Sequence, residues 1–188
     1  METQLTVEQI QRLIIGHYGG ARRNTFIPNV SWGYFKTHEA DLVMISKEGY
    51  MTEFEIKRSW SDFLADFKKT TNHFENKVAH LYYVVPESIK DKCREYIEQH
   101  EFPEPYNRKP YRNYPPVGLL YYSEWLHVWE CLRAPHLARF TEDNDQDYKL
   151  YLEEQIKLMR LGCMRYWLRK DKEESKPTDQ QMNFEWKE

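Results

Sequence analysis

Two carboxylates and one lysine in the first third of the chain have the types and spacing of a metal-dependent hydrolytic site. Asp41 begins a short apolar run that predicts a buried strand, and Glu55-Ile56-Lys57 lies in the next predicted strand. Residues two apart on a strand share a face, so Glu55 and Lys57 project together, and a hairpin can bring Asp41 beside them. Two carboxylates on one sheet face are costly unless a cation offsets them, and hard oxygen ligands favour Mg²⁺ or Mn²⁺.

The chemistry of such a site would be hydrolysis at a phosphate. A bound divalent cation lowers the pKa of a coordinated water and neutralises charge on a phosphate. Lys57 would orient that water and stabilise the developing negative charge. The backbone carbonyl of Ile56 is a candidate third metal ligand. Glu39, which is predicted to share a face with Asp41, is a further candidate ligand, with a solvated strand end as the alternative.

Caps, turns and periodicity predict the elements that would position these residues. Thr6 and Gln9 are spaced as a capping box that starts a helix, and Gly19-Gly20 ends it. Lys47-Glu48-Gly49 predicts the turn of a hairpin between strands 41–46 and 50–57, and Ser59 begins the next helix. Further strands are predicted over 26–35, 81–85, 117–122 and 126–132, with helices over 87–100 and 147–169. The predicted fold is α/β, with a mixed four- or five-stranded sheet flanked by helices.

These features resemble the PD-(D/E)xK nuclease superfamily, whose core order is helix, three strands, helix, strand. Residues 6–86 read in that order, with Asp41 in the second strand and Glu55-Ile56-Lys57 in the third. Residues 39–42, 55–59, 62–69 and 82–86 are most similar to the small MmcB-like DNA-repair branch, although Ala40 replaces the proline of the family name. The resemblance implies a restriction-endonuclease-like core, Mg²⁺ or Mn²⁺ as cofactor, and Asp41, Glu55 and Lys57 as the catalytic set.

Basic side chains are the candidate contacts to a nucleic-acid backbone. Arg58 follows the motif, and Lys68 and Lys69 lie on the helix after it, where the alternative is simple solvation. The segment 107–114 interleaves basic and aromatic residues, which suits phosphates and unstacked bases. Its basic members are Arg108, Lys109 and Arg112. The alternative is a surface loop whose tyrosines pack on the core.

The remaining titratable side chains near the motif are given structural roles. Asp62 and Asp66 are expected to cap and pair along their helix. Glu53 is expected to be solvated or paired with a lysine, with a functional role as the lesser alternative. His38 is disfavoured as a metal ligand, because no HxH or HExxH spacing supports a zinc site.

Composition limits the function classes. A net charge of −3 from 27 basic and 30 acidic residues excludes a strongly basic protein that coats DNA. The three cysteines form no CxxC motif, and the sequence has neither a signal-peptide pattern nor an apolar run of about 20 residues, which predicts a cytoplasmic, reducing location without a membrane partner. One domain over residues 1–170 and a disordered acidic tail over 171–188 are predicted.

The function predicted from the sequence is Mg²⁺-dependent hydrolysis of DNA phosphodiester bonds, structure-selective or related to repair, with RNA left open as a substrate. The principal alternative is a non-catalytic nucleic-acid-binding or scaffolding protein on the same fold. A third interpretation, an adaptor, would use Phe184 and Trp186 in the tail as a docking motif.

Overall fold

The computed structural model of the protein describes residues 5–31, 35, 38–68, 78–100, 116–123, 125–134 and 149–174. Within them the chain forms a mixed α/β fold. Its elements are, in order, α1 Val7–His17, β1 Thr25–Val30, β2 Ala40–Ile45, β3 Met51–Ile56, α2 Trp60–Phe67, β4 His80–Pro86, a 3-10 turn Glu87–Ile89, α3 Lys90–Gln99, β5 Gly118–Tyr122, β6 Val128–Leu132 and α4 Leu152–Glu174.

The strands form one mixed sheet in the order β1-β2-β3-β4-β5-β6. β1, β2 and β3 are antiparallel neighbours, β4 and β5 run parallel to β3, and β6 is antiparallel to β5. Parallel neighbours need crossover connections, and α2 and α3 supply the helices of these two crossovers. The carboxyl ends of β3, β4 and β5 therefore meet at one edge of the sheet.

Helices cover both faces of the sheet. Phe63 of α2, Cys93 and Ile97 of α3 and Leu158 of α4 belong to one buried cluster, whereas Ile10 and Ile14 of α1 belong to a second cluster with Phe54 and Tyr82. We call the first the α2/α3 face and the second the α1 face. In β3, the alternation of strand residues directs Phe54 and Ile56 to the α1 face, and hence Glu53 and Glu55 to the α2/α3 face.

Local sequence signals are confirmed where the structure describes them. Gln9 N–H donates to Thr6 Oγ1 at 3.2 Å and Thr6 N–H donates to Gln9 Oε1 at 2.8 Å, which is the predicted capping box. Asp62 N–H donates to Ser59 Oγ at 3.2 Å at the start of α2. The turn between β2 and β3 contains Gly49 at φ +91°, a conformation that glycine adopts without a steric penalty.

Two features of the predicted architecture were wrong. The sheet has six strands rather than four or five, because β5 and β6 join the same sheet as the hairpin. The last helix runs from Leu152 to Glu174 rather than over 147–169, so residues 171–174 of the predicted tail are helical. Pro28 does not end β1; the strand lies at the edge of the sheet, where a missing N–H is tolerated. Residues 175–188, including Phe184 and Trp186, lie outside the described residues.

Among the described helices, none combines the length and the apolar composition that a membrane span requires.

Gly118 gives a test of the packing between β4 and β5. A Cβ atom at this position would collide with the ring of Tyr82 and lie 2.8 Å from the backbone nitrogen of Ala134. We expect Gly118→Ala to destabilise the protein by about 1–3 kcal/mol through overpacking. Gly16→Ala is the matched control, because a Cβ there meets nothing within 4 Å, and it should stabilise α1 by about 0.5–1 kcal/mol. Urea unfolding measures both, and equal midpoints for the two variants would contradict the described packing.

Candidate active site

The hairpin of β2 and β3 places Asp41 against the end of β3. The backbone pairing of the two strands extends to Leu42 and Phe54. Beyond this pair, the Asp41 side chain replaces the backbone as hydrogen-bond acceptor, and its Oδ2 accepts the Ile56 N–H at 2.8 Å. The Lys57 N–H donates to Val84 O of β4 at 3.0 Å. The N–H and C=O of one extended residue point to the same neighbouring strand, so the carbonyl of Ile56 also faces the Asp41 side.

Lys57 is held as a buried ammonium between two carboxylates. Its Nζ lies 2.9 Å from Glu55 Oε2 and 3.1 Å from Asp66 Oδ1. The Glu55 and Asp66 side chains are 3% and 0% exposed. Tyr83 completes the arrangement by donating its hydroxyl to Asp66 Oδ2 at 3.0 Å. Asp66 of α2 therefore holds the lysine that directly follows β3, and Tyr83 of β4 holds Asp66.

The electrostatic surroundings keep both the Lys57 ammonium and the Tyr83 hydroxyl protonated. Burial opposes the charge of Lys57, but the neighbouring Glu55 and Asp66 carboxylates outweigh it and raise the pKa of the ammonium above its usual range. Burial, followed by the charge of Asp66, raises the pKa of the Tyr83 hydroxyl well above its usual range. Lys57 is thus a permanent cation at neutral pH, and Tyr83 is a permanent hydrogen-bond donor.

Asp41 lies in an environment that disfavours its ionised form, chiefly because the carboxyl is buried. Burial raises the pKa of its carboxyl, the Ile56 N–H and Lys57 lower it, and the charges of Asp62 and Asp66 raise it further. Ionised Asp41 is therefore under-compensated by the protein's own groups. An additional cation beside it would remove that cost.

The donor set can be compared with what a divalent cation needs. Asp41 and Glu55 come from neighbouring strands and, with the Ile56 carbonyl, would supply hard oxygens suited to Mg²⁺ or Mn²⁺. In the described part of the chain, no three His, Cys, Asp or Glu side chains are grouped as a metal site. A site with only two side-chain ligands would need the Ile56 carbonyl and waters to complete the coordination of such a cation.

Glu39, the further candidate ligand, lies just before β2. Its side chain is 55% exposed and lies 3.8 Å from Arg165 Nη1 of α4. Arg165 also donates to Ser31 Oγ at 2.6 Å. The last helix thereby places a cation near Glu39.

The predicted nucleic-acid contacts are only partly described. Arg58 is half-buried, and its charge partly offsets the rise that burial causes in the pKa of the Tyr122 hydroxyl. Lys68 is exposed at the C-terminal end of α2, and the residue of this helix that reaches Lys57 is Asp66. Four predicted contacts, Lys69, Arg108, Lys109 and Arg112, lie outside the described residues.

Glu53 and His38 form a buried pair, which corrects the expectation that Glu53 is solvated. The Oε1 of Glu53 lies 2.7 Å from His38 Nε2, and the two side chains are 0% and 7% exposed. The His38 ring packs near Phe35, with the centroids 4.6 Å apart. Because Glu53 and Glu55 share a face of β3, this pair lies beside the site without being part of the Lys57 cluster.

Two residues of the site region were missed by sequence reasoning. Asp66 was expected to pair along its helix but is buried against Lys57. The available signal was its position three residues after Phe63, on the apolar stripe of α2. Gln11, also buried, donates to the carbonyl of Asp41 at 2.7 Å and so ties α1 to β2. Its signal was its position four residues after Val7 and three before Ile14, within the apolar stripe of α1.

Comparisons with known proteins inform the fold. No family model and no curated protein matches the chain. Among solved structures, the chain is similar to SPO1766, a protein of unknown function from Silicibacter pomeroyi. The TM-score is 0.54 at 14% sequence identity, over 93% of this chain and 93% of that one. At this identity the similarity supports a shared mixed α/β fold.

Asp66→Asn tests the clamp on Lys57. Loss of one carboxylate leaves the buried ammonium under-compensated, so we expect destabilisation of about 1–3 kcal/mol and a lower pKa of Lys57. Asp62→Asn, an exposed change on the same helix, should cost less than about 1 kcal/mol. Denaturant unfolding and an NMR titration of the Lys57 side chain measure the two effects.

The sign of the pH dependence follows from the raised pKa of Lys57. The pairing stabilises the folded state below the unfolded-state pKa of lysine and loses its effect as the pH rises through the folded-state value. Asp66→Asn should therefore weaken the alkaline loss of stability. Equal stability and an equal Lys57 pKa in both aspartate variants would contradict the clamp.

Asp41→Asn tests the under-compensated carboxylate, in the presence of EDTA. The folded protein binds the Asp41 proton more tightly than the unfolded chain, so ionisation costs stability above the raised pKa. The amide can still accept the Ile56 N–H, so we expect a higher thermal midpoint than wild type at pH 7. The gain should shrink as the pH falls toward the usual range of aspartate. A variant that is less stable by the same amount at every pH would contradict this account.

Proposed function

We propose that the protein is a Mg²⁺- or Mn²⁺-dependent nuclease of the PD-(D/E)xK type that hydrolyses phosphodiester bonds in DNA. The observation that carries the proposal is the convergence of Asp41 and the Glu55-Ile56-Lys57 segment. Asp41 accepts the Ile56 N–H at 2.8 Å, and Lys57 lies 2.9 Å from Glu55. Two acids and one lysine on adjacent strands are the set that this chemistry needs.

The topology supports a restriction-endonuclease-like core. The order α1, β1, β2, β3, α2, β4 agrees with helix, three strands, helix, strand. The first three strands are antiparallel, and β4 returns parallel to β3 after α2. The carboxylate strand and the motif strand are therefore hairpin partners, as the proposed site requires.

Each residue has a distinct proposed role. Asp41 and Glu55 hold the cation, with the Ile56 carbonyl as a further oxygen donor. When bound, the cation activates water and neutralises phosphate charge. Lys57 carries a raised pKa and stays protonated at neutral pH. It is therefore suited to electrostatic stabilisation of a negatively charged transition state rather than to removal of a proton.

Asp66 is a positioning residue in this proposal. It bonds Lys57 through one oxygen and accepts the Tyr83 hydroxyl through the other. A buried lysine with three rotatable donors would otherwise adopt several orientations. Fixing the ammonium beforehand lowers the reorganisation that the reaction requires.

The proposed substrate is DNA of a particular structure, such as a repair intermediate. Basic side chains would contact the backbone around the site, Arg58 and Lys68 among the described residues and Lys69, Arg108, Lys109 and Arg112 outside them. The net charge of −3 disfavours binding through a uniformly basic surface. A metal-centred site with local phosphate contacts is compatible with that charge.

One observation favours the alternative, a non-catalytic nucleic-acid-binding or scaffolding protein on the same fold. The Glu55 carboxylate is 3% exposed and already engaged by Lys57. Metal binding would have to compete with that ion pair or share the carboxylate with it. In a protein without catalysis, the same ion pair would serve stability alone.

A cleavage assay separates the two functions. Linear, nicked, branched and single-stranded DNA are incubated with the protein in Mg²⁺, Mn²⁺ or EDTA. We expect cleavage that requires the metal and falls by at least about 100-fold in Asp41→Asn and Lys57→Ala, since each removes a transition-state interaction. Glu48→Gln, in the turn at the opposite end of the hairpin, is the control and should cleave like wild type.

Two results would count against the proposed activity. Equal cleavage by wild type, Asp41→Asn and Lys57→Ala would identify a contaminant and remove the site assignment. Retained DNA binding without cleavage of any substrate would favour the non-catalytic alternative.

A further inference from the structure

Aromatic side chains line the surface of the last two strands. Tyr121 of β5 is the cross-strand partner of Trp129 of β6, with ring centroids 5.5 Å apart and planes 28° from parallel. The His127 ring lies 5.5 Å from the Trp129 ring. Trp129 is 40% exposed and His127 is exposed. Part of the Trp129 indole is therefore open to solvent.

A cation accompanies this surface. Lys90, the first residue of α3, places its Nζ 4.4 Å from the centroid of the Tyr121 ring. The same ammonium bonds Glu87 Oε1 at 3.0 Å, which holds it in place. This ammonium lies over the half-buried Tyr121 ring, next to the exposed Trp129, and a cation close to an exposed aromatic ring is a combination that binds stacked bases and their phosphates.

The connection between β5 and β6 carries two exposed apolar residues, Trp125 and Leu126, which we call the Trp125 tip. Trp125 and Leu126 are 73% and 55% exposed. Ser123 holds both residues: its Oγ accepts the Trp125 N–H at 3.2 Å, and its carbonyl accepts the Leu126 N–H at 3.1 Å. Leu126 has φ +57°, a strained conformation for a bulky residue. Such strain is retained where the surroundings impose it, often at binding sites.

This surface lies on the same edge and face of the sheet as the proposed site. Lys57 bonds Val84 O, which brings it level with Val85, and Val85 is the partner of Tyr121. Two strand spacings of about 4.8 Å thus separate Lys57 from Tyr121. Tyr121 packs against the cluster of the α2/α3 face, to which Glu55 also projects. The carboxyl end of β5 leads directly into the Trp125 tip.

We propose that Trp125, His127 and Trp129, with Tyr121 supporting the Trp129 ring, form a platform that stacks the unpaired bases of single-stranded DNA leading into the site. In a duplex the base faces are covered by neighbouring pairs, whereas unpaired bases expose faces that aromatic rings can cover. The inference rests on the proposed function and specifies its substrate class. It makes the preferred DNA one with a single-stranded segment beside the scissile bond.

Binding measured in EDTA tests the platform independently of cleavage. The probes are a fluorescein-labelled oligodeoxythymidine and a duplex of equal length, followed by anisotropy at one fixed salt concentration. We expect Trp125→Ala and Trp129→Ala each to weaken binding of the single strand by about 5-fold or more. Trp129→Phe should retain most of the affinity, because it keeps an aromatic face. Trp167→Ala is the matched control, since Trp167 is 64% exposed on α4.

The outcomes distinguish this inference from the proposed activity. Undiminished single-strand binding in Trp125→Ala and Trp129→Ala, an equal loss in Trp167→Ala, or an equal loss for the duplex would overturn the platform. So would an absence of single-strand binding by the wild type, which would leave the tip as a protein-docking surface. If the tryptophan variants lose binding while no DNA is cleaved in Mg²⁺ or Mn²⁺, the platform stands and the nuclease proposal fails.

Discussion

The ion pairs of the buried Lys57 ammonium are the interactions on which the candidate site depends. A lysine removed from water costs several kcal/mol unless charged partners surround it. Glu55 and Asp66 meet that requirement from β3 and α2, and Tyr83 of β4 fixes Asp66 in turn. Three consecutive elements must therefore be in register before any one of these groups is satisfied. The cluster therefore helps to fix how β3, α2 and β4 pack together, and it is also part of the candidate active site.

Local sequence signals predicted much of the fold. The capping box at Thr6 and the cap at Ser59 depend on residues three apart in the chain, and the hairpin depends on one glycine turn. Interactions between residues so close together in the chain can be predicted from the sequence. The pairing of β5 with β4 could not be predicted in this way, because a long connection separates α3 from β5. The number of strands in the sheet was therefore underestimated.

The sequence correctly predicted which central residues of the site lie close together. It did not predict all of the residues that these central residues contact. Asp41 and Ile56 are in contact, and Glu55 and Lys57 share a face, as strand alternation required. Asp66 escaped prediction because a charged residue on a helix usually faces solvent. A buried lysine on a neighbouring strand reverses that preference, and only the three-dimensional arrangement reveals it.

The attachment of α4 has a consequence for the order of folding. Arg165 donates to Ser31 across 134 residues of sequence, and Arg169 pairs with Glu8. Gly162 allows the helix to approach Ile27 of β1 closely. The hairpin that carries Asp41 can form soon after its synthesis, but β1, the outer strand of that sheet, gains the cover of α4 only after β6 and the residues that follow it have been made. Contacts so distant in sequence slow folding through the entropy of loop closure. During translation, the apolar side of β1 that carries Ile27 would therefore stay exposed, and available for association with another chain, until α4 had been made.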